Sequence, residues 1–107
     1  MATSQAEGSQ TAVIDTIHTL ATVTAAGTYV LTVDLSNLVL GDTVTLTIEV
    51  KVRSTGTTRE VYTGTYSNVQ EALVATSIPT PSVSEAVFKL EQTAGTGRVF
   101  LWEVVAL

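Results

Sequence analysis

The sequence predicts an all-β chain: a single antiparallel β-sandwich of jelly-roll or Greek-key type with about seven strands. Three observations predict it. Thr, Val and Ile (20, 16 and 4 residues) are unusually abundant among the 107 positions. Such β-branched side chains lose rotamer freedom on a helix and pack well on a pleated surface. Residues 42–53 alternate strictly between apolar and polar. Turn signals such as Ala25-Ala26-Gly27, Gly41-Asp42 and Thr93–Gly97 separate strand-like stretches spaced about 10–15 residues apart.

The elements follow in order. Residues 1–10 are small and polar without periodicity, which predicts a flexible N-terminal arm, with the sandwich occupying 11–107. Residues 11–24 carry two signals. Val13, Ile14, Ile17, Leu20 and Ala21 fit a helical stripe, while the load of Thr, Val and Ile favours a strand with a bulge that re-phases the apolar positions. Ala25-Ala26-Gly27 is a turn, and Thr28–Leu35 alternates, with Tyr29, Leu31, Val33 and Leu35 on one face. After Gly41-Asp42 the alternation sets Val44, Leu46, Ile48, Val50 and Val52 toward a core and Thr43, Thr45, Thr47 and Lys51 toward water.

Residues 54–58 form a hairpin loop into a strand over Arg59–Tyr66, with Tyr62 and Tyr66 on one face. Ser67 and Gln70 fit a capping box, which predicts one helical turn over Asn68–Leu73. Leu73–Ile78 reads as a strand stopped by Pro79 and Pro81. Val83–Gln92 alternates again, with Ala86, Phe88 and Leu90 inward. Thr93–Gly97 turns the chain into a last strand, Arg98–Leu107.

Composition excludes several kinds of function. With no cysteine, disulfide scaffolds and cysteine-based zinc modules are ruled out. A net charge of −5, with five cations spread thinly, opposes nucleic-acid binding. No apolar run is long enough for a membrane span, and the first ten residues lack the pattern of a signal peptide, so synthesis in the cytoplasm is expected. His18, the one histidine, lies in an apolar-rich stretch and reads as structural rather than as a ligand or catalytic base. Gly95-Thr96-Gly97-Arg98 lacks the spacing and following helix of a phosphate loop and reads as a tight turn. No nucleophile, base or metal constellation emerges, so neither an enzyme nor a cofactor-bearing protein is expected.

The last strand is unusual. Phe100, Trp102, Val104 and Ala106 make one face apolar, and Val99, Leu101, Val105 and Leu107 do the same to the other. A strand of a small sandwich ordinarily wets one face, so Val99, Leu101, Val105 and Leu107 are the candidate interface residues. The arm, another subunit or a larger surface would cover them.

Several stretches carry a resemblance: Ala26-Gly-Thr-Tyr-Val-Leu-Thr-Val-Asp-Leu-Ser36, Gly41-Asp-Thr-Val44, Glu60-Val-Tyr62, and Lys89-Leu-Glu-Gln-Thr-Ala-Gly-Thr-Gly-Arg98 before the tryptophan strand. Over roughly residues 20–105 the chain resembles small all-β virion proteins of tailed bacteriophages, of the capsid decoration (cement) type. The resemblance implies a structural protein on the capsid surface of the virion that oligomerises, binds the major capsid protein and reinforces the assembled head. It implies no catalytic residues, cofactor, nucleic acid or membrane. A tail-fibre or attachment module binding carbohydrate is the alternative, and it would need Tyr62 and Tyr66 exposed as a stacking platform.

Overall fold

The computed structural model describes residues 2–107 and contains two antiparallel sheets and no helix among them. Its nine strands are β1 (Thr3–Thr11), β2 (Ile17–Val23), β3 (Gly27–Asp34), β4 (Thr43–Val50), β5 (Arg59–Ser67), β6 (Val74–Thr76), β7 (Thr80–Ser82), β8 (Ala86–Ala94) and β9 (Val99–Ala106). The all-β expectation holds, with nine strands where about seven were expected. The first sheet runs β1-β9-β3-β6, with β7 pairing the other end of β3; the second runs β2-β8-β4-β5. Among the described residues no helix is long and apolar enough to cross a membrane.

Short loops ordinarily pair strands that are neighbours in sequence, yet among the described residues only β4 and β5 form a hairpin. At most other connections the chain passes from one sheet to the other. The reason lies in the alternating faces. Each sheet buries one face, and one cluster takes in Tyr29, Leu31, Val33, Phe100 and Val104 from the first sheet and Val44, Leu46, Ile48, Phe88 and Leu90 from the second. Tyr29 meets Phe88 edge-on, ring centroids 6.4 Å apart, and so joins β3 to β8 across that core.

The strongest sequence pattern is borne out over Val44, Leu46 and Ile48, all fully buried. It fails at its end. Val50 is half-buried and Val52 is exposed, because β4 stops at Val50 and the chain turns away from β8. The facing Thr43, Thr45, Thr47 and Lys51 are half-buried rather than fully wet. Trp102, expected in the core, packs half-buried against it.

Residues 17–23 are strand, and the expected bulge is there. Thr19 pairs with Lys89 and Ala21 with Phe88, which leaves Leu20 as the extra residue. That single insertion lets the adjacent Leu20 and Ala21 both pack against the core and turns Val23 inward, whereas Val13 and Ile17 of the helical stripe are exposed.

Two local expectations are corrected. The flexible arm expected over residues 1–10 is instead β1, paired from Thr3 to Thr11 along the edge of β9; Met1 lies outside the described residues. Backbone pairing needs no apolar pattern, so small polar residues suffice there. The helical turn expected over Asn68–Leu73 is absent. Asn68 takes a positive φ of 64°, which cannot begin a right-handed helix. The residues of the anticipated capping box are used otherwise: Ser67 Oγ pairs with Thr43 Oγ1 at 3.0 Å, and Gln70 Nε2 donates to Ser67 O at 2.6 Å. Pro81 lies within β7, a three-residue edge strand where a missing N–H is tolerated.

Candidate interaction surface

The outer face of the β1-β9-β3 sheet is built by alternation along β9. Phe100 and Val104 point into the core with no exposure, so Val99, Leu101, Glu103 and Val105 point away from it. Val99 and Leu101 are exposed (42% and 57%), Val105 is half-buried, and Leu107 just past the strand is 57% exposed. The four predicted residues therefore share one side of the molecule. Leu107 is held there by its N–H, which donates to Thr28 O at 2.9 Å.

The arm does not cover this face. As β1 it lies beside β9 in the plane of the sheet, setting Thr11 opposite Val99, Ser9 opposite Leu101 and Glu7 opposite Glu103. On the other side β3 sets Thr32 opposite Glu103 and Val30 opposite Val105. The apolar stripe is thus divided by a carboxylate pair that sequence reasoning did not assemble. Glu103 alone drew no partner from its own neighbours in the chain, and Glu7 sits in the segment read as an arm.

The strands of this sheet carry Glu7, Asp34 and Glu103 and not one Lys or Arg. Asp34 is fixed by Ser36, whose backbone N–H donates to its Oδ1 at 2.8 Å. Hydrogen bonds from the Ser36 side chain and backbone hold its carboxyl below the usual range, against a small opposing effect of burial. Around these groups runs a shallow depression of about 230 Å³, whose apolar lining is Val33, Val74, Leu101 and Trp102. Chemically the face offers apolar contact ringed by negative charge. Two like charges directly opposite on neighbouring strands are mutually unfavourable, and a cation from a partner would relieve them.

The β3–β4 connection and the Gly95–Arg98 turn are tied together. Asp42, 1% exposed, lies against Gly95 of that turn. Its Oδ2 accepts from Arg98 Nε at 2.7 Å and Val39 N at 3.0 Å, and its Oδ1 from Thr96 N at 3.3 Å. Burial pushes this carboxyl up, but the bonds from Arg98, Val39 and Thr96 and the Arg98 charge outweigh it and leave the pKa lowered. Gly95 has a φ of 89°, and a Cβ there would collide with Asp42 Oδ1. Gln92, fully buried, accepts from Arg98 N at 2.9 Å and donates to Ala94 O and Thr96 O. The Gly95–Arg98 turn is pinned by these bonds, as the tight-turn reading expected. Sequence reasoning singled out neither Asp42 nor Gln92, whose partners close only in the fold.

His18 is likewise engaged. Val13 N–H donates to its Nε2 at 3.1 Å, and the Gln10 amide lies 3.2 Å from its Nδ1. Tyr62 and Tyr66 do not form an exposed platform. Both are half-buried against the core, with hydroxyls 3.4 Å apart. Burial, then the hydrogen bond and charge of Tyr66, push Tyr62 up to about 12.

The opposite sheet presents a different outer face. Thr45 and Thr65 hydroxyls meet at 3.2 Å, and Lys89 pairs with Glu49 at 3.1 Å. Such exposed pairs contribute little to stability. Comparison of the chain with family models, with curated proteins and with solved structures finds no match.

Proposed function

We propose that this chain is a structural virion protein of the capsid decoration type, which binds the assembled head through the outer face of the β1-β9-β3 sheet and reinforces it. One observation carries the reading: the central strand β9 leaves Val99, Leu101 and Leu107 uncovered on a face whose strands hold three carboxylates and no cation. A monomer rarely leaves large apolar side chains on a central strand without a use for them. The partner that fits is an apolar protein surface with a basic rim, and in this reading it is the major capsid protein. The two sheets enclosing one core, with the chain passing between them, support the finer topology, a jelly-roll or Greek-key sandwich.

The reading is non-enzymatic. The groups that might have carried chemistry are engaged in holding loops: Asp42 with Arg98, and His18 with Val13 and Gln10. A carbohydrate-binding role gains no support from the half-buried Tyr62 and Tyr66.

The test is retention of the purified chain on isolated phage heads, for wild type and for Leu101→Glu. The substitution leaves the core untouched and sets an unpaired carboxylate into the contact, a penalty of roughly several kcal/mol. The expected result is a variant that melts like wild type and washes off the heads. Retention at wild-type level would remove the face from the account.

A further inference from the structure

Among the described residues the two sheets have four edges, and each carries some irregularity. β1 carries a bulge at Gln5 and β2 one at Leu20, while β6 and β7 are three residues each, with Pro79 and Pro81 beside or within β7. Bulges, prolines and short strands are the devices that keep an edge from pairing with another chain. β5 is bulged too, at Val61, and then runs in unbroken register with β4 from Tyr62 to Ser67, as β1 does with β9 from Ala6 to Thr11; its composition sets it apart. Among the described residues no strand lies on its other side. The stretch has no charge and no proline, and it reads the same in both directions: Tyr62-Thr63-Gly64-Thr65-Tyr66.

We propose that β5 is a homodimerisation edge, on which a second copy of this chain adds its own β5 antiparallel about a two-fold axis at Gly64. The four-stranded sheets of the two copies then join into one continuous sheet. A two-fold contact must be self-complementary, and a palindromic strand meets that condition residue by residue. Gly64 faces its own copy, Thr63 faces Thr65 of the partner subunit, and Tyr62 faces Tyr66 of the partner subunit.

Each pairing is of a kind the chain already uses or that sheets favour. Thr65 already shares a hydrogen bond with Thr45 across the β4–β5 pair, and the new contact extends that hydroxyl row by one strand. The half-exposed tyrosines gain aromatic partners on the core-facing side. Gly64 lies beneath the Tyr62 and Tyr66 hydroxyls, and the two rings can fold over it because it has no side chain: a Cβ there would come within 2.6 Å of the Tyr62 hydroxyl. The absence of charge matters as well, since two chains of net charge −5 meet here at a neutral strip.

This inference is independent of the capsid reading, whose test residue Leu101 lies on the other sheet. The experiment is sedimentation equilibrium of the full chain over a range of concentrations. Wild type is expected to approach twice the 11.2 kDa chain mass and to fall to monomer on dilution. The Thr63→Lys, Thr65→Lys double variant sets an ammonium against an ammonium in both pairs, at positions exposed in the monomer, and should halve the mass. Thr63→Glu with Thr65→Lys sets opposite charges against each other and should restore it. Because the chain has no cysteine, Thr63→Cys and Thr65→Cys give a second measurement on near-native surfaces. Mixed together and oxidised, they should form the hetero-disulfide in preference to either homodimer. A wild-type mass of one chain throughout, a Lys double variant that stays dimeric, a Glu/Lys variant that stays monomeric, or disulfides without that preference would each overturn the proposal. So would a dimer that Leu101→Glu dissociates.

Discussion

Replacing Asp42 by Asn tests how the loops that frame the β9 face are held. The carboxylate receives three donors, Arg98 Nε and Val39 N on Oδ2 and Thr96 N on Oδ1. An amide has one acceptor oxygen. Turned to keep Arg98 and Val39, it presents its NH2 to Thr96 N and loses that bond together with the charge. Hydrogen bonds to a charged group contribute roughly 1.5–3 kcal/mol, and breaking a fully buried ion pair costs about 3–5 kcal/mol. Arg98 keeps 30% of its side chain in solvent, so water takes up part of its charge. The expected cost at neutral pH is therefore about 2–3 kcal/mol, a fall in Tm on the order of 10 °C or more.

The pH dependence supplies a sign. Asp42 is lowered from the usual 3.8, so its contribution is complete above the unfolded value and is lost as the pH falls through the folded one. Wild type and Asp42→Asn should therefore converge in stability as the pH drops below about 4. The assay is urea denaturation at a series of pH values. A gap under about 0.5 kcal/mol at pH 7, or one that stays constant through the acid range, refutes the reasoning.

Three further outcomes are expected. Ile48→Ala, fully buried, should cost roughly 2–5 kcal/mol in the same assay, whereas the exposed Val52→Ala should stay within about 0.5 kcal/mol; equal midpoints would undo the core assignment. Gly95→Ala should destabilise by at least about 1–2 kcal/mol, since it combines a positive φ with a collision against Asp42, and a neutral result would contradict the pinned turn. Removing residues 2–11 should strip β1 from β9 and expose Trp102, which lies opposite Gly8. As the chain's one tryptophan, it should then report a red-shifted emission, and an unchanged spectrum would argue against β1 pairing.

The sequence disclosed most where a face alternates against a full partner on both sides. β4 and β8 were legible because each lies between two strands, so their inward positions, Gln92 excepted, carry apolar side chains. Val52 misled because the alternation outlasts the pairing: β4 stops at Val50 while the pattern runs two residues further. β1 was illegible for the opposite reason. Its hold on β9 is made by backbone groups, and of its side chains only Ala6 packs against the core. The apolar outer face of β9 and the lone Glu103 between Leu101 and Val105 were visible, but the pairing of Glu103 with Glu7 was not, because those residues come together only through the pairing of the first strand with the last. Asp42 was visible only as part of a turn, since Thr96 and Arg98 reach it from 54 and 56 residues away.

The central claim is that the β9 outer face is the surface applied to the capsid, and side-chain footprinting by hydroxyl radicals tests it most directly. The chain is labelled free and while bound to isolated heads, and the oxidation of each exposed aliphatic residue is compared. The account predicts that Val99, Leu101, Val74 and Leu107 lose reactivity on the heads, while the exposed Ile17 on the opposite sheet keeps its own. Protection of Ile17 with Leu101 and Val99 still reactive, or no binding to the heads at all, would contradict it.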